Sequence, residues 1–142
     1  MKNNDDITWL QKTRELSKKS PLVSDAFSVG AVIVDEAGKE IATGYSRETD
    51  PHKHAEEIAI EKALEGKKNL KDCTLYTSLE PCGQRLSGRK TCVQHIIETG
   101  IKRVVFGEYE PPVFVKGEGQ ELLQKAGVET FFVETKQEAT LQ

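Results

Sequence analysis

The hydrophobic period of this chain switches repeatedly between that of a strand and that of a helix, and this alternation constrains the fold more than any other feature. SVGAVIV (28–34) is an apolar, β-branched run, EAGK carries turn residues, and KEIATGYS (39–46) is a second extended segment, so the pair reads as a hairpin. Residues 54–65 place Ala55, Ile58, Ala59 and Ala63 on one helical stripe that Gly66 stops. DCTLYTSL (72–79) reads as a buried strand, ended by Glu80 and Pro81 because proline breaks a central ladder. Beyond it, TCVQHIIETG is a short helix, KRVVFG a strand, GQELLQKAG a helix and VETFFVE a last strand. Upstream, residues 5–18 space Ile7, Trp9, Leu10 and Leu16 as a first amphipathic helix, with Asp5 and Asp6 as caps. The order α-β-β-α-β-α-β-α-β predicts an α/β fold, a three-layer α-β-α sandwich with a five-stranded mixed sheet. The sheet is antiparallel at the hairpin and parallel where helices cross over.

A chain of 142 residues with 37% hydrophobic content suffices for one core, and no repeat or linker divides it, so a single domain over 1–142 is expected. The polar end TKQEATLQ (135–142) is expected to fray. The proline- and glycine-bearing stretch 108–119 is a loop leaving the fourth strand, at the end where α/β sheets place ligands. Phe131 and Phe132, adjacent on an extended segment, project to opposite faces, where helices or a partner subunit would cover them. Charged residues of both signs make up 30% and the net charge is −3, which disfavours nucleic-acid binding because there is no positive field to collect a polyanion. The N-terminus lacks an apolar leader and no stretch of about 18 apolar residues exists to cross a bilayer, so a cytoplasmic location is expected. Three cysteines, an odd count without secretion signals, argue for metal binding or burial over disulfides.

Catalysis by zinc requires three nitrogen or sulfur ligands, an open fourth position for water and a group that moves protons. His54 and Glu56 stand in KHAEEIA at a helix start, Cys82 follows a strand in LEPCG, and Cys92 opens the next helix. At helix N-termini the unpaired amides favour a thiolate. Each piece alone is weak; HAE, then a strand running into EPC, then a second cysteine at a helix head meets the order that a zinc deaminase requires. Spacing leaves open whether Glu56 or Glu57 moves the proton, the other being expected in solvent. A rival arrangement adds His95 to His54, Cys82 and Cys92, closing a structural site with no place for water. His95 lies a turn inside its helix, which favours the three-ligand site. Cys73, opening a strand, reads as core.

These motifs, KHAEEIAI, TLYTSLEPCG and RKTC with the upstream VGAVIV strand, resemble the cytidine deaminase superfamily over nearly the whole chain. The resemblance implies a five-stranded sheet between helices, Zn2+ held by His54, Cys82 and Cys92, and Glu56 as the proton shuttle. Nine residues, GQRLSGRKT, separate the two cysteines, and this insert with GYSRE and CVQHI is similar to the pyrimidine deaminases of riboflavin biosynthesis, fungal-type and bacterial. That likeness implies a substrate bearing a ribosylamino or ribitylamino phosphate arm on a diaminopyrimidinone, and assembly into a homo-oligomer, dimer or tetramer. Where the bacterial proteins carry an asparagine-proline segment this chain has SDAFS, so contacts there do not transfer.

Arg85, Arg89 and Lys90 concentrate positive charge beside the ligands and suit an anionic arm, although a solvated basic loop is the equal alternative. Arg47 and His52, shortly before His54, are further candidates for substrate contact. Two other functions fit less well: a deaminase of a nucleoside, nucleotide, nucleobase or tRNA base, and a non-catalytic zinc-stabilised interaction module.

Overall fold

The computed structural model describes residues 2–21, 28–83, 85, 88–109 and 118–134. Its elements are α1 (Lys2–Ser17), β1 (Gly30–Val34), β2 (Glu40–Tyr45), α2 (Ala55–Glu65), β3 (Thr74–Thr77), α3 (Cys92–Thr99), β4 (Arg103–Phe106), α4 (Glu118–Lys125) and β5 (Glu129–Phe132). This is the order expected from periodicity. The strands form one sheet, β2-β1-β3-β4-β5. β1 pairs antiparallel with both β2 and β3, and β3, β4 and β5 are parallel. The tail 135–142 and most of the 108–119 loop lie outside the described residues, as does most of the SDAFS segment. Among the described residues no helix is long and apolar enough to cross a membrane.

Alternate side chains of the central strands feed two cores, as the pleat dictates. Ala31, Ile33, Leu75 and Val104 meet α2, α3 and α4 through Ala59, Ala63, Ile96 and Leu123. Val32, Val34, Tyr76 and Val105 meet Leu10 and Leu16 of α1 on the other face. Cys73 is buried in the first of these cores. The central strands read as continuous apolar runs because both faces are covered.

Helix α1 departs from the expected stripe. Ile7 is 37% exposed, whereas Asp6 and Thr13 are buried beside Leu10. Burial of Asp6 has a specific cause: its Oδ1 accepts the Tyr76 hydroxyl at 2.6 Å and its Oδ2 pairs with Arg103 Nη2 at 3.0 Å. A buried carboxylate satisfied by a cation and a hydroxyl is tolerated where an unpaired one is not. Because α1 begins at Lys2, Asp5 and Asp6 lie inside the helix and not at its cap, and Asp6 instead fastens α1 to β3 and β4. On the edge strand β5, Phe131 lies under the Arg103 guanidinium, 4.8 Å from its ring centroid, and Phe132 meets Tyr109 and Phe106 on the opposite face. Both phenylalanines keep about two-fifths of their surface in solvent, at 42% and 40%.

One glycine sets the approach of α2. A Cβ on Gly44 of β2 would lie 2.5 Å from the Ala55 carbonyl oxygen and 2.8 Å from the Ala59 nitrogen. Its absence lets the first turn of α2 rest directly on the sheet.

Candidate active site

The head of α2 presents two functional side chains. His54 is the N-cap, with extended backbone at φ −86° and ψ 162°, and its amide donates to Glu57 Oε1 at 3.2 Å. This is the backward half of a capping box, which stops the helix from extending toward residue 53. Glu56, in the first turn, is only 4% exposed. Its Oε2 accepts the Thr77 hydroxyl from the end of β3 at 3.0 Å.

The cysteines arrive from the next crossover. Past β3, the Ser78 hydroxyl accepts the Gly30 amide at 3.1 Å and the Glu80 amide donates to the Glu108 carbonyl at 2.9 Å. Glu80 Oε2 accepts the Gln120 amide at 3.0 Å, satisfying a first-turn donor of α4. Gly119 sits against this turn, since a Cβ there would lie 2.0 Å from the Pro81 carbonyl oxygen. Cys82 follows. Thr91 caps α3 by accepting the Gln94 amide at 3.1 Å, so Cys92 is the first helical residue. The opening amides of α3 both turn to Cys82: Cys92 N–H to its Sγ at 3.3 Å and Val93 N–H to its carbonyl at 3.2 Å.

These elements bring His54, Cys82 and Cys92 together, with one donor atom from each lying within 4.8 Å of the others. His54 Nδ1 is 3.2 Å from Cys92 Sγ and 3.7 Å from Cys82 Sγ. The edges of a tetrahedron built on metal bonds of roughly 2.0 to 2.3 Å are about 3.5 Å, so the cluster needs little rearrangement to close on an ion. Its electrostatics agree. A hydrogen bond from the Cys92 thiol holds the Cys82 thiol well below its ordinary pKa against the opposing effect of burial, and His54 and the Cys92 amide add to it. Sharing that proton with Cys82, together with burial and the Glu56 charge, pushes Cys92 up. His54 is raised by its bond to Cys82. A cation at this point would compensate both sulfurs. One imidazole and two thiols form a zinc-type donor set, and the residues fit it.

Glu56 Oε1 lies 3.5 Å from Cys92 Sγ, facing the cluster, while Oε2 faces Thr77. Burial raises the Glu56 pKa. Thr77 did not stand out in the sequence; a hydroxyl closing β3 just before the EPC turn was the available signal.

Glu57 is not in solvent as expected. It is 4% exposed and meets Arg85 Nη2 at 3.1 Å, with Arg89 Nη2 at 3.8 Å and His95 Nε2 at 3.6 Å. Arg85 also donates to the Lys90 carbonyl at 2.6 Å and the His52 carbonyl at 2.7 Å, so its guanidinium is committed to protein acceptors. Burial lowers the His95 pKa, and His95 stands outside the ligand trio. Arg89 and Lys90 are 41% and 43% exposed at the side chain, Lys90 pairing with Glu98 at 2.7 Å. His52 is exposed and its amide bonds Asp50. Arg47 sits at φ 61° and donates to the Pro21 carbonyl and the Ser28 hydroxyl, bracing the two ends of the 21–28 connection.

Comparison with known proteins agrees with this arrangement. The sequence profile of the "Cytidine and deoxycytidylate deaminase zinc-binding region" matches residues 3–108. The diaminohydroxyphosphoribosylamino-pyrimidine deaminase of Schizosaccharomyces pombe is 42% identical over 130 residues, 90% of this chain and 32% of that protein. The riboflavin biosynthesis protein RibD of Aquifex aeolicus is 41% identical over 102 residues, 72% of this chain and 27% of that protein. The crystal structure of the Aspergillus oryzae Rib2 deaminase in complex with DARIPP superposes with a TM-score of 0.80 at 30% identity, covering 92% of this chain and 85% of that one. The chain thus spans about a third of the length of the curated relatives named here, or less.

Proposed function

As the chain belongs to the cytidine and deoxycytidylate deaminase family, we propose that it hydrolyses the ring amine from a phosphorylated diaminopyrimidinone, ribosylamino or ribitylamino, in riboflavin biosynthesis. The observation that carries this reading is the convergence of His54, Cys82 and Cys92 with the buried carboxyl of Glu56 turned toward them. His95 lies against Glu57 instead of completing a fourth ligand, which supports an open catalytic site over a closed structural one.

His54, Cys82 and Cys92 would hold the zinc. When bound, zinc supplies Lewis acidity that brings proton loss from water into the neutral range. The Cys92 amide keeps electron density on Cys82 Sγ and so holds that sulfur as an anionic donor. Glu56 moves two protons through Oε1, the oxygen facing the cluster: one from the attacking water to the ring nitrogen, and one from the hydroxyl then on the ring carbon to the amine, which departs as ammonia. Thr77 fixes Oε2 and so prevents the carboxyl from rotating away. Burial raises the Glu56 pKa and so strengthens it as the base that accepts the proton.

For the phosphate arm, Arg85 is already neutralised by Glu57, and Arg89, Lys90 and His52 are the solvent-exposed side chains near the ligands that suit an anion. The reading carries with it a cytoplasmic homo-oligomer, and the half-exposed aromatics of β5 suit a subunit contact.

The test is a substrate panel on zinc-loaded protein: the two diaminopyrimidinone phosphates, cytidine, deoxycytidylate and a tRNA anticodon stem-loop, each followed by ammonia release. Release confined to the flavin precursors is expected. Release from only a nucleoside, nucleotide or tRNA keeps the chemistry and removes the pathway.

A further inference from the structure

Nine residues separate Cys82 from Cys92, and both converge on His54. A side-chain cross-brace joins the segments that carry them. Glu57 Oε1 accepts the His54 amide at 3.2 Å and Arg85 Nη2 at 3.1 Å, and both ion-pair side chains are almost fully buried, at 5% and 6% exposure. The same guanidinium reaches the carbonyl of His52, two residues before the first ligand, and that of Lys90, two residues before Cys92. Arg85 itself lies three residues beyond Cys82. One planar group therefore ties the strands of chain that deliver all three ligands, and one carboxylate holds that group against the head of α2.

We infer that Glu57 and Arg85 are a pair of positioning residues for the metal centre, fixing the separation of His54 from the two cysteines without touching the ion. The inference rests on the zinc reading of the site, and it gives Glu57 a role distinct from its neighbour Glu56. Its physical basis is that groups which orient metal ligands are needed nearly as much as the ligands, with substitutions costing about 10- to 100-fold in affinity. Arginine suits the task because its fork offers several donors in one plane, and lysine, with a single ammonium, cannot bridge three acceptors at these positions.

The experiment is zinc affinity of the full chain, measured by competition with a chromophoric chelator, together with the charge-transfer and ligand-field bands of the cobalt-substituted protein. The variants are E57A, E57Q, R85K and, as a control, D6N, which breaks an ion pair on the opposite face. Expected are zinc affinities about 10- to 100-fold weaker in E57A and R85K, a smaller loss in E57Q, which keeps an acceptor for the His54 amide, and altered cobalt bands. D6N is expected to lower thermal stability and leave zinc affinity within twofold. R85K retains charge and side-chain bulk and decides the matter if E57A does not fold. Wild-type zinc affinity in E57A or R85K, or an equal loss in D6N, overturns the inference. Absence of zinc binding by the wild-type chain overturns the proposed function instead, so the two failures are distinguishable.

Discussion

The Thr77 hydroxyl lies 3.0 Å from Glu56 Oε2 and 3.1 Å from the carbonyl of Leu79, so one proton faces two acceptors. Given to Oε2, that proton holds the carboxylate in one orientation; given to Leu79, it leaves the hydroxyl oxygen to accept from the carboxyl once Glu56 is protonated. T77V keeps the shape and removes the hydroxyl. A hydrogen bond to a charged group is worth about 1.5 to 3 kcal/mol, so kcat is expected to fall roughly 10- to 100-fold with KM little changed, and T77S is expected to recover most of it. Steady-state kinetics of the two variants check this; equal activity in T77V and wild type removes Thr77 from the mechanism.

Asp6, Tyr76 and Arg103 join residues that are distant in sequence into one buried network. D6A leaves a guanidinium and a phenol without their acceptor. Breaking a buried pair from one side costs about 3 to 5 kcal/mol. Arg103 is 19% exposed at the side chain and regains some hydration, so a loss nearer the lower end is expected. Urea unfolding of D6A against wild type measures it. A change below about 0.5 kcal/mol, the range of neutral surface substitutions, would show that the network is not holding α1.

The Tyr76 phenol is pushed far above its usual pKa, first by burial and then by its hydrogen bond to Asp6. A group whose folded pKa is raised contributes stability that is full below its unfolded pKa, here about 10, and that is lost as pH climbs toward the folded value. Unfolding free energy is therefore expected to fall between about pH 9.5 and pH 11. Y76F is expected to be less stable near neutrality and to show a shallower decline. Parallel slopes for Y76F and wild type across that window contradict the assignment.

Gly119 gives α4 room against Pro81. G119A places a methyl 2.0 Å from a backbone oxygen, a contact that only backbone movement relieves. Overpacking of this kind costs about 1 to 3 kcal/mol. The displaced Pro81 adjoins Cys82, so zinc affinity is expected to weaken along with Tm, whereas G38A, at a turn with open space around it, is expected to lower Tm by backbone strain alone. Thermal melts and chelator competition on both variants separate the two effects.

What the sequence reveals here follows the range of the interaction. Val32 and Ile33, or Ile58 and Ala59, announce their strand and helix because periodicity is local, and the ligand trio is legible because its chemistry demands a few residue types at helix heads. Ile7 and Asp6 read the wrong way round because apolarity is a poor guide to burial when a partner such as Arg103 arrives from 97 positions away. Glu57 reads as a solvated residue for the same reason, its partner Arg85 being 28 positions distant. Arg85 itself looks like a phosphate anchor by composition, and only its three acceptors show it to be spoken for.

The most direct test of the central claim is ammonia release from the diaminopyrimidinone phosphates by E56Q, with zinc content measured on the same samples. The account predicts one zinc per chain in both proteins and a loss of about 10²- to 10⁴-fold in the variant's rate, because Glu56 moves the proton and does not hold the metal. Full activity in E56Q, or activity lost only together with the zinc, would contradict it.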